Sequence, residues 1–242
     1  VYGGTLIAVE GNYDDVNRLC SELVGDPLTA TWGFVNVNLR PYYAEGSKTV
    51  GYEIAEQLGW RLPDQVVVPV ASGSMMTKID KAFKELIALG LVAEKPYRIF
   101  GSQATGCSPV AEAFERGWDV VKPVKPNTIA KSLAIGNPAD GPYAIDVANR
   151  TAGVIGHISD EEIVAAIKLL AETEGIFAET AGGVTVGNLK KFVEQGQLDP
   201  NLETVVLNTG DGLKTLEAIS DSVGFTVTIP PTLEAFRAAV SD

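Results

Sequence analysis

The chain has 242 residues, of which 45% are hydrophobic and 21% are charged, so its composition excludes a disordered protein and favours one substantial core. The net charge of −12 argues against nucleic acid or an anionic membrane surface as a partner, and any anionic ligand would need local positive groups. No apolar run is long enough to span a bilayer. Cys20, Cys107 and the one histidine, His157, are too few for a disulfide framework or a metal cluster, which fits a reducing cytoplasm.

The N-terminal quarter is predicted to contain a short strand and two helices. Residues 5–9 have the composition of a strand, and a helix should follow between a cap at Asn12 and a stop at Gly25. An aromatic and aliphatic stretch then runs to the Arg40-Pro41 interruption. Beyond it, apolar residues around Ile54 recur at helical spacing and predict the second helix.

The next stretch is the one most suggestive of a binding site. The apolar run 66–68 predicts a buried parallel strand, which passes through Ser72-Gly73-Ser74 into a helix beginning near Met75. A turn of this kind leaves backbone N–H groups unpaired at the positive end of a helix dipole, beside two hydroxyls, and could therefore bind a phosphate. Many such turns bind nothing, and neither the P-loop pattern nor the dinucleotide fingerprint is present.

The remainder alternates strands with helices. Strands are predicted at 98–102, 154–158, 176–178 and 204–207, and the sequence Ser159-Asp160-Glu161-Glu162 is a capping box. Residues 122–142 contain four prolines and two glycines, too irregular for an ordinary connector and typical of a functional loop. Residues 223–242 should form one strand and one short helix as a tail.

This alternation predicts an α/β fold with a doubly wound, mostly parallel sheet. Three small-residue turns follow three of the predicted strands, at 72–74, 179–183 and 208–212. Because the carboxyl ends of parallel strands meet at one edge, the three turns together outline a ligand site better than any one of them does. The acidic pair Glu161-Glu162 suits the first turn of a helix and is not expected to act in acid/base catalysis.

Six motifs of this chain occur in the order seen in threonine synthases, which belong to the tryptophan-synthase-β-like, fold-type-II pyridoxal-phosphate enzymes. The resemblance extends from residue 1 to about residue 220, and the order of the matches is more specific than any one motif. The motifs are Glu45-Gly46-Ser47-Lys48-Thr49, Pro69-Val70-Ala71-Ser72-Gly73-Ser74, Gly106-Cys107-Ser108-Pro109, Asn127-Thr128-Ile129-Ala130 with Ile135-Gly136-Asn137-Pro138, Glu174-Gly175-Ile176-Phe177 and Thr209-Gly210-Asp211-Gly212-Leu213-Lys214.

The resemblance implies a domain organisation. Residues 1–38 would be the end of a small N-terminal domain, residues 39–220 the large cofactor-binding domain, and residues 221–242 a C-terminal tail. The chain begins without Met and lacks the Ser-Phe-Lys-type motif that carries the family's Schiff-base lysine, so it resembles the C-terminal portion of such an enzyme. The full-length protein would be a cytoplasmic homodimer.

The resemblance also implies the chemistry: conversion of O-phosphohomoserine and water to threonine and phosphate, with pyridoxal 5′-phosphate as cofactor. Residues Ser72, Gly73, Ser74 and Met75 would hold the cofactor's phosphate, and the hydroxyl of Thr209 would meet its pyridine nitrogen. Substrate would contact Arg40, Lys48 and Asn137. The Schiff-base lysine would lie upstream of residue 1, so that no catalytic residue is identified within this chain.

Two alternatives remain open from the sequence. The chain could belong to a threonine or serine dehydratase, or to another replacement enzyme of the same fold. If Arg40, Lys48 or Lys131 reached the site, where it could bind a substrate phosphate, that would favour a threonine synthase over these enzymes. The chain could instead be a non-enzymatic anion- or nucleotide-binding α/β domain, which the missing lysine supports.

Overall fold

The computed structural model of the chain describes residues 2–35, 45–225 and 227–240. Within these ranges a four-stranded parallel sheet has the order β3-β2-β1-β4. Its strands are β1 (Gln65–Pro69), β2 (Arg98–Ala104), β3 (Ile155–Ile158) and β4 (Thr204–Val206). The predicted parallel α/β architecture is confirmed.

Helices occupy most of the connections between these strands. The α-helices are α1 (Tyr13–Val24), α2 (Thr49–Gln57), α3 (Ser74–Ala88), α4 (Pro109–Glu115), α5 (Gly141–Arg150), α6 (Asp160–Glu174), α7 (Thr180–Glu194) and α8 (Leu233–Ala239). Short 3-10 turns occur at Pro27–Thr29, Lys131–Leu133, Gly212–Ala218 and Ser220–Ser222. No helix in the described ranges is long and apolar enough to cross a membrane.

Helices cover both faces of the sheet, because side chains of a strand alternate between faces. On one face Val66 and Val68 pack in a cluster with residues of α2, α3, α4 and α5. On the other face Val67 packs with Phe100 and with Phe192 of α7. The sheet is therefore doubly wound, as the alternating sequence pattern predicts.

Strand order places a crevice at the end of β1. The chain passes from β1 to β2 on one side and returns to pair β4 with the other side of β1. Such a reversal leaves the turns after the two central strands free to separate, and ligands of open α/β sheets bind there. The turns that follow β1 and β4 contain the predicted cofactor residues.

Three predicted strands are wrong. Residues 5–9 are exposed and form no strand, since no strand in the described ranges pairs with them. Residues 176–178 contribute a single antiparallel bridge between Ala178 and Asp211. In the tail, the described residues after 222 include helix α8 but no strand. Each stretch has strand composition, but the described ranges contain no neighbouring strand that would complete it.

Candidate active site

A cavity of about 570 Å³ opens at the carboxyl ends of β1 and β4. It is lined by residues from five parts of the described chain: Pro69 with the turn 71–75, the loop 131–135, Glu179 with Ala181, Thr209, and Tyr13, Ser47, Thr49 and Val50 from the N-terminal segment. The structure therefore brings Ser72, Gly73, Ser74, Met75 and Thr209 to one site.

The turn after β1 has the geometry of an anion cup, which is the name used below for residues 72–75. Gly73 has φ +94°, in the left-handed region, and a Cβ atom there would lie 2.7 Å from the carbonyl oxygen of Asp140. The backbone of Asp140 also donates its N–H to the Ser72 carbonyl at 2.9 Å, so the turn is fixed from outside. The N–H groups of Met75 and Met76 belong to the first turn of α3 and have no intrahelical acceptor.

Hydroxyl groups add donors to the cup. Ser72 Oγ accepts the N–H of Ser74 at 3.3 Å. Ser74 Oγ is buried and makes no hydrogen bond of normal geometry with the described residues. A buried hydroxyl that makes no well-formed hydrogen bond within the protein is available to a ligand, so the cup fits a phosphate group.

Asp140 lies beside the cup and is half-buried. Burial raises the pKa of its carboxyl above the ordinary value, and the charge of Lys78 and an interaction with Ser74 partly offset that rise. A carboxyl whose charged form is disfavoured repels a neighbouring phosphate less than a fully ionised one does. The local electrostatics are consequently compatible with an anion at this turn.

Thr209 and Glu179 form another part of the cavity wall. Thr209 follows β4 and is exposed to the cavity, while Glu179 is 5% exposed. The backbone N–H of Glu179 donates to the Gly210 carbonyl at 3.0 Å, which holds the two turns together. The side chain of Asp211 caps the following 3-10 turn by accepting the Leu213 N–H at 2.9 Å and does not line the cavity.

Sequence reasoning placed the turn 179–183 at this site but did not single out Glu179 as a site residue. It is the carboxylate among the described lining residues, and its nearest cationic partner is Lys214 Nζ at 3.8 Å. The sequence carried one signal for it, because Glu179 directly precedes a helix that begins with small residues at a predicted strand end. That signal alone could not distinguish a cavity residue from a helix-capping one.

The structure does not bring Lys48 to the cavity. Its Nζ contacts Glu45 and lies 2.8 Å from both carboxylate oxygens of Glu85, and its side chain is nearly fully buried. These carboxylates raise the pKa of Lys48, with Glu45 as the largest cause. The substrate-binding role predicted for Lys48 is therefore corrected to a structural ion pair that joins α2 to α3.

The two other predicted substrate contacts have different outcomes. Asn137 is exposed and does not line the cavity, and its backbone N–H donates to Asp14 Oδ1 at 3.3 Å. Arg40 lies outside the described residues. Lys131, by contrast, lines the cavity.

Residues 122–142 lie against the site and are held at several points. Thr128 Oγ1 donates to Asp160 Oδ1 at 2.5 Å and the Ile129 N–H donates to Asp160 Oδ2 at 3.1 Å. The Gly136 N–H donates to Asp14 Oδ2 at 2.9 Å, which ties the loop to α1. The irregular segment is thus held in place, and its residues 131–135 line the cavity, while its functional role stays a prediction.

Comparison with known proteins agrees with this geometry. Residues 1–210 match the family model described as "Pyridoxal-phosphate dependent enzyme". The chain is 39% identical over 218 residues to a threonine synthase of Methanocaldococcus jannaschii, with 90% of this chain and 53% of that protein covered. It is 32% identical over 241 residues to a threonine synthase of Methanosarcina acetivorans, with 99% and 58% covered. The chain spans about half the length of these curated relatives.

Solved structures give the same fold. A pyridoxal-phosphate-bound threonine synthase from Brucella melitensis superposes with a TM-score of 0.65 at 16% identity, over 93% of this chain and 52% of that one. The family's cofactor, pyridoxal phosphate, requires a phosphate cup and a polar group for its ring nitrogen, and the cup at 72–75 and Thr209 supply both types of group in one cavity. The chain belongs to the family of pyridoxal-phosphate-dependent enzymes.

Proposed function

We propose that this chain is the cofactor-binding portion of a threonine synthase, a lyase that converts O-phosphohomoserine and water to threonine and phosphate. One observation carries the proposal: the cup at residues 72–75 and Thr209, both predicted to hold the cofactor, line the same cavity. The curated relatives named threonine synthase support the substrate class. The relatives' names favour this reading over a dehydratase, and the family match favours an enzyme over a non-enzymatic anion-binding domain.

Each residue has a distinct proposed role. The backbone N–H groups of the cup and the hydroxyls of Ser72 and Ser74 bind the cofactor's phosphate and anchor it. The neutral hydroxyl of Thr209 meets the pyridine nitrogen, which keeps the ring unprotonated. Pyridoxal phosphate, when bound, supplies the electron sink that stabilises negative charge on the substrate's carbon atoms.

The walls of the cavity have a separate role. The loop 131–135 and Tyr13 line the space beside the cup and bound the volume in which the substrate would bind. Arg40 and Asn137 stay predictions as substrate contacts. The Schiff-base lysine is proposed to lie upstream of residue 1, so we expect the 242-residue chain to be catalytically silent when purified alone.

A chimera tests the proposed reaction. This chain would replace the matching part of the M. jannaschii threonine synthase, so that the relative supplies the region that this chain does not span. Acquisition of the cofactor's visible absorbance band reports that the chimera folds and binds the cofactor. We expect it then to release phosphate from O-phosphohomoserine with formation of threonine, and Thr209→Val to lower that rate.

The outcome separates the two enzyme classes. A chimera that acquires the absorbance band, forms a 2-oxo acid from threonine and releases no phosphate from O-phosphohomoserine would show a dehydratase. The unmodified M. jannaschii enzyme serves as the positive control for phosphate release from O-phosphohomoserine.

A further inference from the structure

Lys131 is the cationic side chain of the cavity. Among the described residues that line it, Lys131 carries the positive charge, whereas the cup at 72–75 binds anions through neutral backbone and hydroxyl groups. Lys131 begins the 3-10 turn Lys131–Leu133 and so belongs to a different element from the cup. The cavity thus offers two separate groups to anions.

The backbone at Lys131 is fixed while its side chain is exposed. Ala130 before it is fully buried and Leu133 after it is 6% exposed. The preceding residues are tethered through the two oxygens of Asp160. These buried and tethered neighbours hold the backbone of Lys131 at the cavity wall and leave its charged end accessible.

Lys131 Nζ has no ion pair or hydrogen bond with the rest of the described chain, in contrast to Lys48, whose Nζ is held by two glutamates. The chain has a net charge of −12, so its overall field opposes the entry of a phosphorylated substrate. An unpaired cation inside the cavity offsets that field where the substrate binds.

We propose that Lys131 binds the phosphate group of the substrate and thereby selects a phosphorylated amino acid over its unphosphorylated counterpart. This inference rests on the proposed function, because the cup is then filled by the cofactor's phosphate. Two phosphate groups in one cavity repel each other, so the second requires its own counter-charge.

The test compares two lysines of the same loop. Lys131→Met removes the charge at the cavity, and Lys125→Met removes an exposed charge of residues 122–142 that does not line it. The parent chain and both variants are first saturated with pyridoxine 5′-phosphate, which lacks the aldehyde and cannot bond to a lysine. O-phosphohomoserine and homoserine are then titrated by calorimetry.

We expect Lys131→Met to weaken the affinity for O-phosphohomoserine by about 10- to 100-fold, as for loss of a charged hydrogen bond. The affinity for homoserine should not change, and Lys125→Met should match the parent. An unchanged affinity of Lys131→Met for O-phosphohomoserine, an equal loss for both ligands, or no binding of O-phosphohomoserine to the parent would each overturn the inference.

The experiment also distinguishes failure of the proposed cofactor site from failure of the inference about Lys131. If pyridoxine 5′-phosphate does not bind the parent chain, the proposed cofactor site is refuted. Titration of inorganic phosphate into the same three proteins still tests the anion-binding role of Lys131. Binding to the parent and to Lys125→Met that is lost in Lys131→Met supports this role. The same binding in all three proteins contradicts it.

Discussion

Gly73 is the residue on which the shape of the cup depends most. It combines φ +94° with a position where a Cβ atom would clash with the Asp140 carbonyl, whereas Gly175, with φ +70°, has open space around it. We therefore predict that Gly175→Ala lowers the free energy of unfolding by about 1–2 kcal/mol, the cost of the left-handed conformation. Gly73→Ala should cost roughly 2–4 kcal/mol because Asp140 must also move. Urea unfolding measures the free energy of unfolding of both variants. Equal reductions in the two variants would show that Asp140 can move away from the new side chain at no energetic cost.

The ion pairs of Lys48 make a prediction about pH. Lys48 lowers the pKa of Glu45 to about 2 and also lowers that of Glu85. Carboxyls with lowered pKa values stabilise the folded state above their ordinary value of 4.5, and this stabilisation is lost as the pH falls toward 2. Lys48→Met should thus reduce the melting temperature at pH 7 more than at pH 3. Because Glu45 is half-exposed, salt should weaken the effect. An equal reduction at both pH values would contradict this account.

Sequence reasoning placed the turn 72–75 and Thr209 at one edge of the sheet, where both line the cavity, but it misplaced Lys48, for a physical reason. The cup depends on local geometry, which a strand, small residues and a helix start specify together. The direction of the Lys48 side chain depends on Glu85, 37 residues away in sequence. No local pattern reveals that contact.

At the scale of elements, the loop 122–142 depends on Asp160. This carboxylate accepts hydrogen bonds from Thr128 and Ile129, while the adjacent Glu161 is exposed in the same first turn of α6. Asp160→Ala should lower the free energy of unfolding by about 1–3 kcal/mol and speed amide exchange around Ile129, because it leaves two donors unpaired. Glu161→Ala is the matched control, since it also removes an acidic residue from the helix start but contacts no loop donor. Identical exchange in both variants would mean that Asp160 does not hold the loop.

Elements with complete local signals were predicted well. The capping box at Ser159 and Glu162 is present, with the Ser159 N–H donating to Glu162 Oε2 at 2.7 Å, and Gly175 ends α6 in the left-handed conformation. The strands at 5–9 and 176–178 failed because a strand requires a partner, which lies elsewhere in sequence. The helix α1 was correct, and its capping box at Asn12 and Asp15 explains why it forms although it buries no residue completely.

For the whole molecule, exposed apolar side chains at the N-terminus predict self-association. Tyr2, Leu6 and Ile7 are more than 70% exposed and belong to a stretch that pairs with no strand of the described ranges. Exposed apolar groups with unpaired backbone favour contacts with other chains. Sedimentation velocity should show larger species as the concentration rises, and Leu6→Ser combined with Ile7→Ser should reduce them. A chain that remains monomeric at every concentration would contradict the prediction.

The central claim is that the cup at 72–75 and Thr209 hold opposite ends of one cofactor. Titration of the 242-residue chain with pyridoxine 5′-phosphate and with pyridoxine, followed by ligand fluorescence, measures the contribution of the phosphate directly. We predict that the phosphate ester binds at least about tenfold more tightly than pyridoxine, because the cup forms charged hydrogen bonds with the phosphate. Ser72→Ala should weaken only the ester, and Thr209→Val should weaken both ligands by the same factor. Equal affinities for the two ligands in the parent chain would contradict the claim.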